Sequence, residues 1–236
     1  MRNKIALPEC EKCDGLECSF FHGLSHNELE LISESKGGNF YKRGQHIFYE
    51  GTRPSGVYCI YNGKVKVYKI DTNGNEQIVR LAKEGDILGY RSLISGELYA
   101  SFAAPLEDSL ICFIPKEVFF QLLFSNKLLS QRMMERLSSE LKTAESRLAD
   151  MAQKPVRERL AETLLILKEF FGLEEDGVTL DISLTREDLA HIVGTATETV
   201  IRFLSEFKHE QLIDIKGRKI KIINVLKLTR IANIFD

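Results

Sequence analysis

The hydrophobic pattern of this chain changes period once. Between residues 36 and 115 apolar and polar positions alternate in short runs. Residues 57–60 and 64–70 are rich in β-branched and aromatic side chains, and Val65, Val67 and Tyr68 fall in or beside an alternation with Lys64, Lys66 and Lys69. A period of two predicts half-buried strands. Gly44, Gly51, Gly63, Gly74, Gly85 and Gly89 punctuate these runs. Asn62-Gly63 and Asn73-Gly74 are hairpin signals, because Asn and Gly accept a positive φ. Many short strands with turns about every 11 residues predict a small antiparallel barrel or jelly roll. A β-sandwich holding no ligand would carry the same pattern.

From Pro115 onward the period is helical. Met134, Leu137, Leu141, Ala144, Leu148 and Met151 are spaced 3, 4, 3, 4 and 3 apart, an a/d seam held over nearly three heptads. Glu135, Ser138, Lys142 and Glu145 occupy the other faces. A seam this narrow suits one partner helix and so predicts a homodimer. An isolated pair this short is marginal and needs support from the barrel. An amphipathic helix lying on its own domain is the competing reading. Lys154-Pro155 ends the helix, since Pro removes a donor and disfavours the helical conformation before it. This gives four segments: a cysteine-bearing arm (1–26), the β-roll (27–125), the long helix (126–153) and a C-terminal domain (154–236).

The C-terminal domain opens with a helix through Leu160, Leu164, Leu167 and Phe171. Thr185 and Asp188 then fit a capping pattern for a short helix with Leu189 and Ile192 inward. Gly194 supplies a turn, and a second helix runs from about Thr195 to His209 with Val200, Phe203, Leu204 and Phe207 inward. Short helix, Gly turn, longer helix is the order of a helix-turn-helix. Residues 212–215, a Lys216-Gly217-Arg218 turn and residues 219–223 make a hairpin wing. The fold class is therefore α+β: a β-roll of jelly-roll type, a long helix suited to dimerisation and a winged helix-turn-helix.

Composition narrows the function. Of 236 residues, 28% are charged and 44% hydrophobic, enough to bury a core without disulfides. Lys+Arg is 32 and Asp+Glu is 34, so a globally basic coat is excluded and any DNA-binding surface is a local patch. Residues 208–221 supply one, with Lys208, Lys216, Arg218, Lys219 and Lys221 against Glu210 and Asp214. On the second helix Glu198 and Arg202 are four apart on an outward face. Such a pair can accept from cytosine N4 and donate to guanine O6 and N7. A Thr195–Glu198 capping box and a plain surface ion pair are the bland alternatives. No run of about 18 apolar residues predicts a membrane span. Residues 1–8 carry no apolar signal segment, so a cytoplasmic protein with reduced thiols is expected. No GxSxG, HExxH, Walker A or GxGxxG motif occurs, and no enzyme is expected.

With these motifs in place the chain resembles a CRP/FNR-type transcription regulator over nearly its whole length. GQHIFYEG, IYNGKVKVYK and KEGDILGY are similar to the cyclic-nucleotide-type β-roll, the heptad helix falls where that family dimerises, and GTATETVIRFLSEF resembles its recognition helix. The resemblance implies a homodimer on a near-palindromic double-stranded operator, with two recognition helices in successive major grooves and RNA polymerase as a further partner. It assigns base reading to Glu198, Arg202, Ile201 and Thr197, and phosphate contacts to Thr195, Thr185, Lys216, Arg218 and Lys219. Ile201 stands where the FNR branch usually has Ser, and an apolar side chain there can meet a thymine methyl.

The resemblance also bears on the signal. In the cyclic-AMP branch a Glu and an Arg hold the ribose and the phosphate; here Tyr90 and Ala100 stand at those positions, so cyclic AMP is not the expected ligand. Residues 101–115, SFAAPLEDSLICFIP, resemble the FNR segment with a cluster-ligating cysteine, at Cys112. Together with Cys10, Cys13 and Cys18 this implies a [4Fe-4S] centre sensing oxygen or nitric oxide. The spacing to Cys18 is one residue shorter than the family's. A thiol-bound zinc, and three reduced, idle thiols in the N-terminal arm, are the alternatives. Cys59 reads as a core residue. His22, His26, His46, His191 and His209 show no paired spacing for haem.

Overall fold

The computed structural model describes residues 7, 9–13, 16 and 19–233. Cys18 lies outside them. The chain forms two compact units, Met1–Ser139 and Glu140–Asp236, and the 27-residue helix α4 (Lys127–Gln153) contributes to both.

In the first unit, β1 (Gly37–Tyr41), β2 (Gly56–Asn62), β5 (Ile87–Leu88) and β7 (Ser109–Pro115) form a sheet in the order β1-β7-β2-β5. A second sheet runs β4-β3-β6, from β3 (Val65–Ile70), β4 (Glu76–Ala82) and β6 (Phe102–Pro105). All named pairings are antiparallel. Of the two Asn-Gly hairpin signals, Asn73-Gly74 joins the paired strands β3 and β4, whereas Asn62-Gly63 is a turn that carries the chain from β2 in one sheet to β3 in the other, so the expected hairpin does not form there. Gly63 has φ +114° and lies against the Ser109 side chain, where a Cβ would collide. Gly74 has φ +86°, and the Asp71 carboxylate closes that turn by accepting from the Asn73 and Asn75 amides at 2.8 and 2.9 Å. Ile60, Val65, Val67, Ala103 and Ile111 fill the space between the sheets.

A second core lies under the helices. Leu29 and Ile32 of α1 (His26–Ser35), Phe119 and Leu122 of α3 (Lys116–Ser125), and Leu129 and Met133 of α4 pack on Val57 and Ile114. The start of α4 is tied to α1. Asn126 donates to Glu28 Oε1 at 2.9 Å, and its Oδ1 accepts from the Leu129 amide at 3.0 Å. Hydrogen bonds from Asn126 and then Ser25 hold the Glu28 carboxyl below the usual carboxylate range.

The second unit holds α5 (Val156–Phe171), α6 (Arg186–Val193), α7 (Thr197–His209), β8 (Ile213–Lys216), β9 (Lys219–Ile222) and α8 (Val225–Ile231). Leu160, Leu164, Leu167 and Phe171 are buried in the expected stripe. Val200, Leu204 and Phe207 are buried, but Phe203 is only partly so. At about 100° per residue, position 203 falls some 60° off the axis of that stripe, at its edge. Ile192 is partly exposed in the same way, while Leu189 is fully buried.

Thr185 and Asp188 form the expected reciprocal cap of α6. The Asp188 amide donates to Thr185 Oγ1 at 2.9 Å, and the Thr185 amide donates to Asp188 Oδ2 at 3.2 Å. Thr185→Ala is expected to lower stability by about 1 kcal/mol. Denaturant unfolding should show a lower midpoint with an unchanged slope.

Candidate nucleic-acid interface and thiol pocket

Gly194, with φ +72°, ends α6 in the left-handed region that Gly adopts without strain and turns the chain into α7. On α7, Glu198, Ile201 and Arg202 are exposed while Val200 on the opposite side is fully buried. Ile201 is 50% exposed. Thr197 and Thr195 are partly exposed. The structure thus brings the four expected base-reading positions to the start of one helix.

Their local partners differ from the sequence expectation. Arg202 Nη1 lies 3.3 Å from Glu206 Oε1, and the guanidinium covers the Phe203 ring at 4.2 Å from its centroid. Arg202 therefore pairs one turn forward, with Glu206 and not Glu198. The alternative Thr195–Glu198 capping box does not form: Ala196 is the cap residue of α7 and no side chain caps it. Glu198 makes no side-chain hydrogen bond or ion pair among the described residues, so its carboxylate needs no rearrangement to accept from a ligand.

The wing is less free than its charge count. Lys219 pairs with Glu174, Lys221 with Asp176 at 3.0 Å and Lys208 with Asp214 at 2.8 Å. Thr179, Val178 and Lys221 hold the Asp176 carboxyl well below the usual range. Exposed Lys216 and Arg218, at the wing tip, have no ion-pair partner among the described residues. Arg186 Nη2 donates to the Gly217 carbonyl at 2.9 Å and fastens that tip to the start of α6. Of the residues assigned to phosphates, Lys216 and Arg218 are the available cations. Lys219 is engaged, and the Thr185 hydroxyl is committed to Asp188 at 2.7 Å. The sequence does not single out Arg186 or Glu206, because nothing local marks their partners.

In the first unit three of the four expected thiols converge. Cys10 begins a short turn, Cys10–Lys12; its amide donates to Ser33 Oγ at 2.8 Å, and Lys36 Nζ donates to its Sγ at 3.2 Å. Cys112 is buried in β7, between Gly38 of β1 and Cys59 of β2. Cys10, Cys13, Cys59 and Cys112 line one cavity with Lys36, Leu16 and Ile32. Burial pushes the Cys112 thiol up to about 11, and burial followed by the neighbouring thiols pushes Cys59 higher still. Such thiols stay protonated and inert until a cation binds, when coordination removes the proton. Among the described residues no group of three or more Cys, His, Asp and Glu is placed to hold a single metal ion.

A second cavity, of ≈ 650 Å³, lies along β3 and α2 (Tyr90–Ser95). Tyr90, at the position expected to lack the ribose-binding Glu, is 1% exposed, and the Arg80 and Arg136 guanidinium groups flank its ring at 5.7 and 5.8 Å from the centroid. Ala100 lines the wall, and the buried Tyr99 hydroxyl has no hydrogen-bond partner among the described residues. No helix among the described residues is long and apolar enough to cross a membrane.

Comparison with known proteins agrees with both units. Residues 39–126 match the cyclic nucleotide-binding domain, and residues 158–231 match the Crp-like helix-turn-helix domain. The fumarate and nitrate reduction regulatory protein of Escherichia coli (strain K12) is 30% identical over 230 residues, 94% of this chain and 90% of the relative. The protein of the same name from Vibrio cholerae is 29% identical over 229 residues, 95% and 90% of the two chains. Among solved structures, FixK2 from Bradyrhizobium japonicum superposes with a TM-score of 0.76 at 22% identity, covering 85% of this chain and 99% of that one. A CRP/FNR-family regulator from Thermus thermophilus gives 0.70 at 26% identity, covering 83% and 98%. A β-roll, a long helix and a winged helix-turn-helix, matched over most of the chain by these relatives, place the chain in the CRP/FNR family of DNA-binding transcription regulators.

Proposed function

We propose that this chain binds a near-palindromic operator as a homodimer and is switched by an iron–sulfur centre on Cys10, Cys13, Cys18 and Cys112. The convergence of Cys10, Cys13 and Cys112 on one cavity beside Lys36 carries this reading. A set of thiols is the donor chemistry that such a centre takes, and the Lys36 ammonium offsets the charge of the thiolates. When bound, the centre supplies a tie between arm and β-roll that oxygen or nitric oxide can cut. The cavity is small, ≈ 40 Å³.

A chain of contacts leads from the arm to the long helix. Cys10 is bonded to Ser33 on α1, Glu28 of α1 to Asn126, and Asn126 to the first turn of α4. Further along α4, Met134, Leu141 and Leu148 are 62%, 61% and 72% exposed, Met151 and Ala144 are exposed, and Leu137 is partly covered by its own core. That open seam fits a second copy of the same helix. Ordering the arm biases the start of α4, and pairing of the seams sets the two recognition helices about one DNA turn apart. RNA polymerase is the expected partner of the DNA-bound dimer, as in the family.

The test is anaerobic reconstitution, with iron and acid-labile sulfide measured per chain and gel shift on an operator selected from random duplexes. Cys112→Ser is expected to lose the iron, the sulfide and the anaerobic gain in operator binding. A Cys112→Ser chain that binds like wild type, with and without air, overturns the proposal.

A second reading rests on the ≈ 650 Å³ cavity and the unpaired Tyr99 hydroxyl: a metal-free regulator answering to a small effector other than cyclic AMP. A wild-type chain that takes up no iron yet gains affinity for its operator from a cell extract of small molecules would favour it.

A further inference from the structure

Cys59 and Cys112 lie directly opposite one another in the antiparallel register of β2 and β7, the two interior strands of their sheet. Residues so placed project to the same face. The register brings opposed side chains close: at the adjacent pair, on the other face, the Tyr58 and Phe113 ring centroids are 5.2 Å apart. The Ile60 amide donates to the Asp86 carbonyl at 3.0 Å, and the Ile60 carbonyl accepts from the Gly85 amide at 2.9 Å. Ile60 therefore turns its backbone groups away from β7, and Cys59, one residue earlier, turns its own towards it. Cys59 and Cys112 are thus a hydrogen-bonded pair, with Cα atoms about 5.5 Å apart, inside the span of about 4.4–6.8 Å that a disulfide bridges. Both line the ≈ 40 Å³ cavity that Cys10 and Cys13 also line.

We propose that Cys59 and Cys112 are a redox pair that closes to a cross-strand disulfide, with Cys10 as the thiol that takes the oxidant, a peroxide. The pair needs no metal and stands independently of the iron–sulfur reading. Cys10 is partly exposed and accepts from Lys36 Nζ at 3.2 Å, whereas Cys112 is buried. The oxidant therefore meets Cys10 first, and the ammonium offsets negative charge on the attacking sulfur.

The steps balance. The Cys10 sulfur attacks hydrogen peroxide: an S–O bond forms, the O–O bond breaks, and water leaves with the thiol proton, giving a sulfenic acid. The Cys112 sulfur displaces the hydroxide, which departs as water with the Cys112 proton. The Cys59 sulfur then displaces Cys10, which takes up the Cys59 proton and is a thiol again. Two electrons have passed from the strand pair to the peroxide oxygens. The bond comes to rest on β2 and β7 because ladder hydrogen bonds hold that pair face to face. Closing draws the opposed Cβ atoms from about 4.5–5.5 Å to about 3.5–4.5 Å, a shift of the strands that leaves the bond easily reduced. While closed, it removes Cys112 from the free thiols of the pocket, so oxidation and any other use of that sulfur exclude one another.

The test uses the full chain, reduced and stripped of metal by a chelator. It is treated with hydrogen peroxide under native conditions, quenched with acid and alkylated, and its linked peptides are quantified by mass spectrometry. In wild type most of the linked Cys112 is expected on Cys59, and the link should vanish with excess dithiothreitol. Cys10→Ser should form it at least about tenfold more slowly. Cys59→Ala should trap the Cys10–Cys112 link. Circular dichroism of each reduced variant checks its fold, and the wild-type result depends on no variant. Oxidation of wild type that stops at a Cys10–Cys13 disulfide overturns the proposal, as does Cys112 linked mainly to an arm cysteine, or Cys59 and Cys112 still open to alkylation once Cys10 is oxidised. A folded Cys10→Ser chain that closes the bond as fast as wild type, or a folded Cys59→Ala chain without the Cys10–Cys112 link, overturns the role of Cys10.

Discussion

Arg202→Ala is expected to lower operator affinity by about 30-fold to 10⁴-fold and to relax base preference at one position in each half-site. Each good bidentate contact to a base is worth about 1–3 kcal/mol of discrimination. A symmetric dimer makes it twice, so about 2–6 kcal/mol is lost, at about 1.4 kcal/mol per factor of ten. The fold should not change. Arg202 is an exposed residue whose side chain pairs with Glu206 and covers the Phe203 ring of its own helix. Random-duplex selection followed by binding titrations checks both parts. Arg218→Ala is the informative companion. As a wing-tip cation it should weaken binding evenly across sequences and reduce the salt dependence, leaving the selected sequence alone. If Arg202→Ala selects the same sequence with the same affinity as wild type, α7 does not read bases through this residue.

Leu141→Glu combined with Leu148→Glu is expected to leave the protein monomeric at tens of micromolar and to abolish tight operator binding. Burying a leucine stabilises by about 1.5–3 kcal/mol, and a symmetric seam buries four of these, so removing them costs about 6–12 kcal/mol of association before charge repulsion is added. The isolated chain should fold normally, because Leu141 and Leu148 are 61% and 72% exposed within it. Leu137 is the wrong choice for this test, since it already packs against the core of its own unit. Sedimentation equilibrium gives the oligomeric state and thermal unfolding the control. A double variant that remains dimeric would place the dimer contact elsewhere.

The parts of the fold legible in the sequence are those set by short-range backbone physics. Asn62-Gly63 and Asn73-Gly74 mark turns because positive φ is a local demand, and both turns are present, but only the second closes a hairpin, because the strands flanking the first join different sheets. Gly194 between two short amphipathic runs marks the helix-turn-helix for the same reason. The stripe Leu160, Leu164, Leu167 and Phe171 is legible because one helix period decides which residues share a face. Family resemblance adds the base-reading positions and the cysteine set, which spacing alone leaves open.

Apart from Phe203 and Ile192, which fall at the edge of their helix stripes, the main differences between sequence and structure involve partners distant in the chain or choices between equivalent neighbours. The wing carries a net positive charge in sequence, yet Lys219 and Lys221 are engaged by Glu174 and Asp176, about 45 residues upstream. Arg202 has acidic residues four positions away on either side, and the structure pairs it with Glu206 while Glu198 stays open. Cys59 reads as core filler because nothing near it in the chain is a ligand; the β2–β7 register sets it opposite Cys112.

The sequence by itself determined that this chain folds as a β-roll, a long seamed helix and a winged helix-turn-helix, since period, turn chemistry and capping act over a few residues. Only the tertiary structure decided which thiols share a cavity, which wing cations are free, and that Lys36 stands beside Cys10. Those pairings depend on strand register and on how the sheet and helices pack, and register is a property of two segments brought together, which neither segment encodes alone.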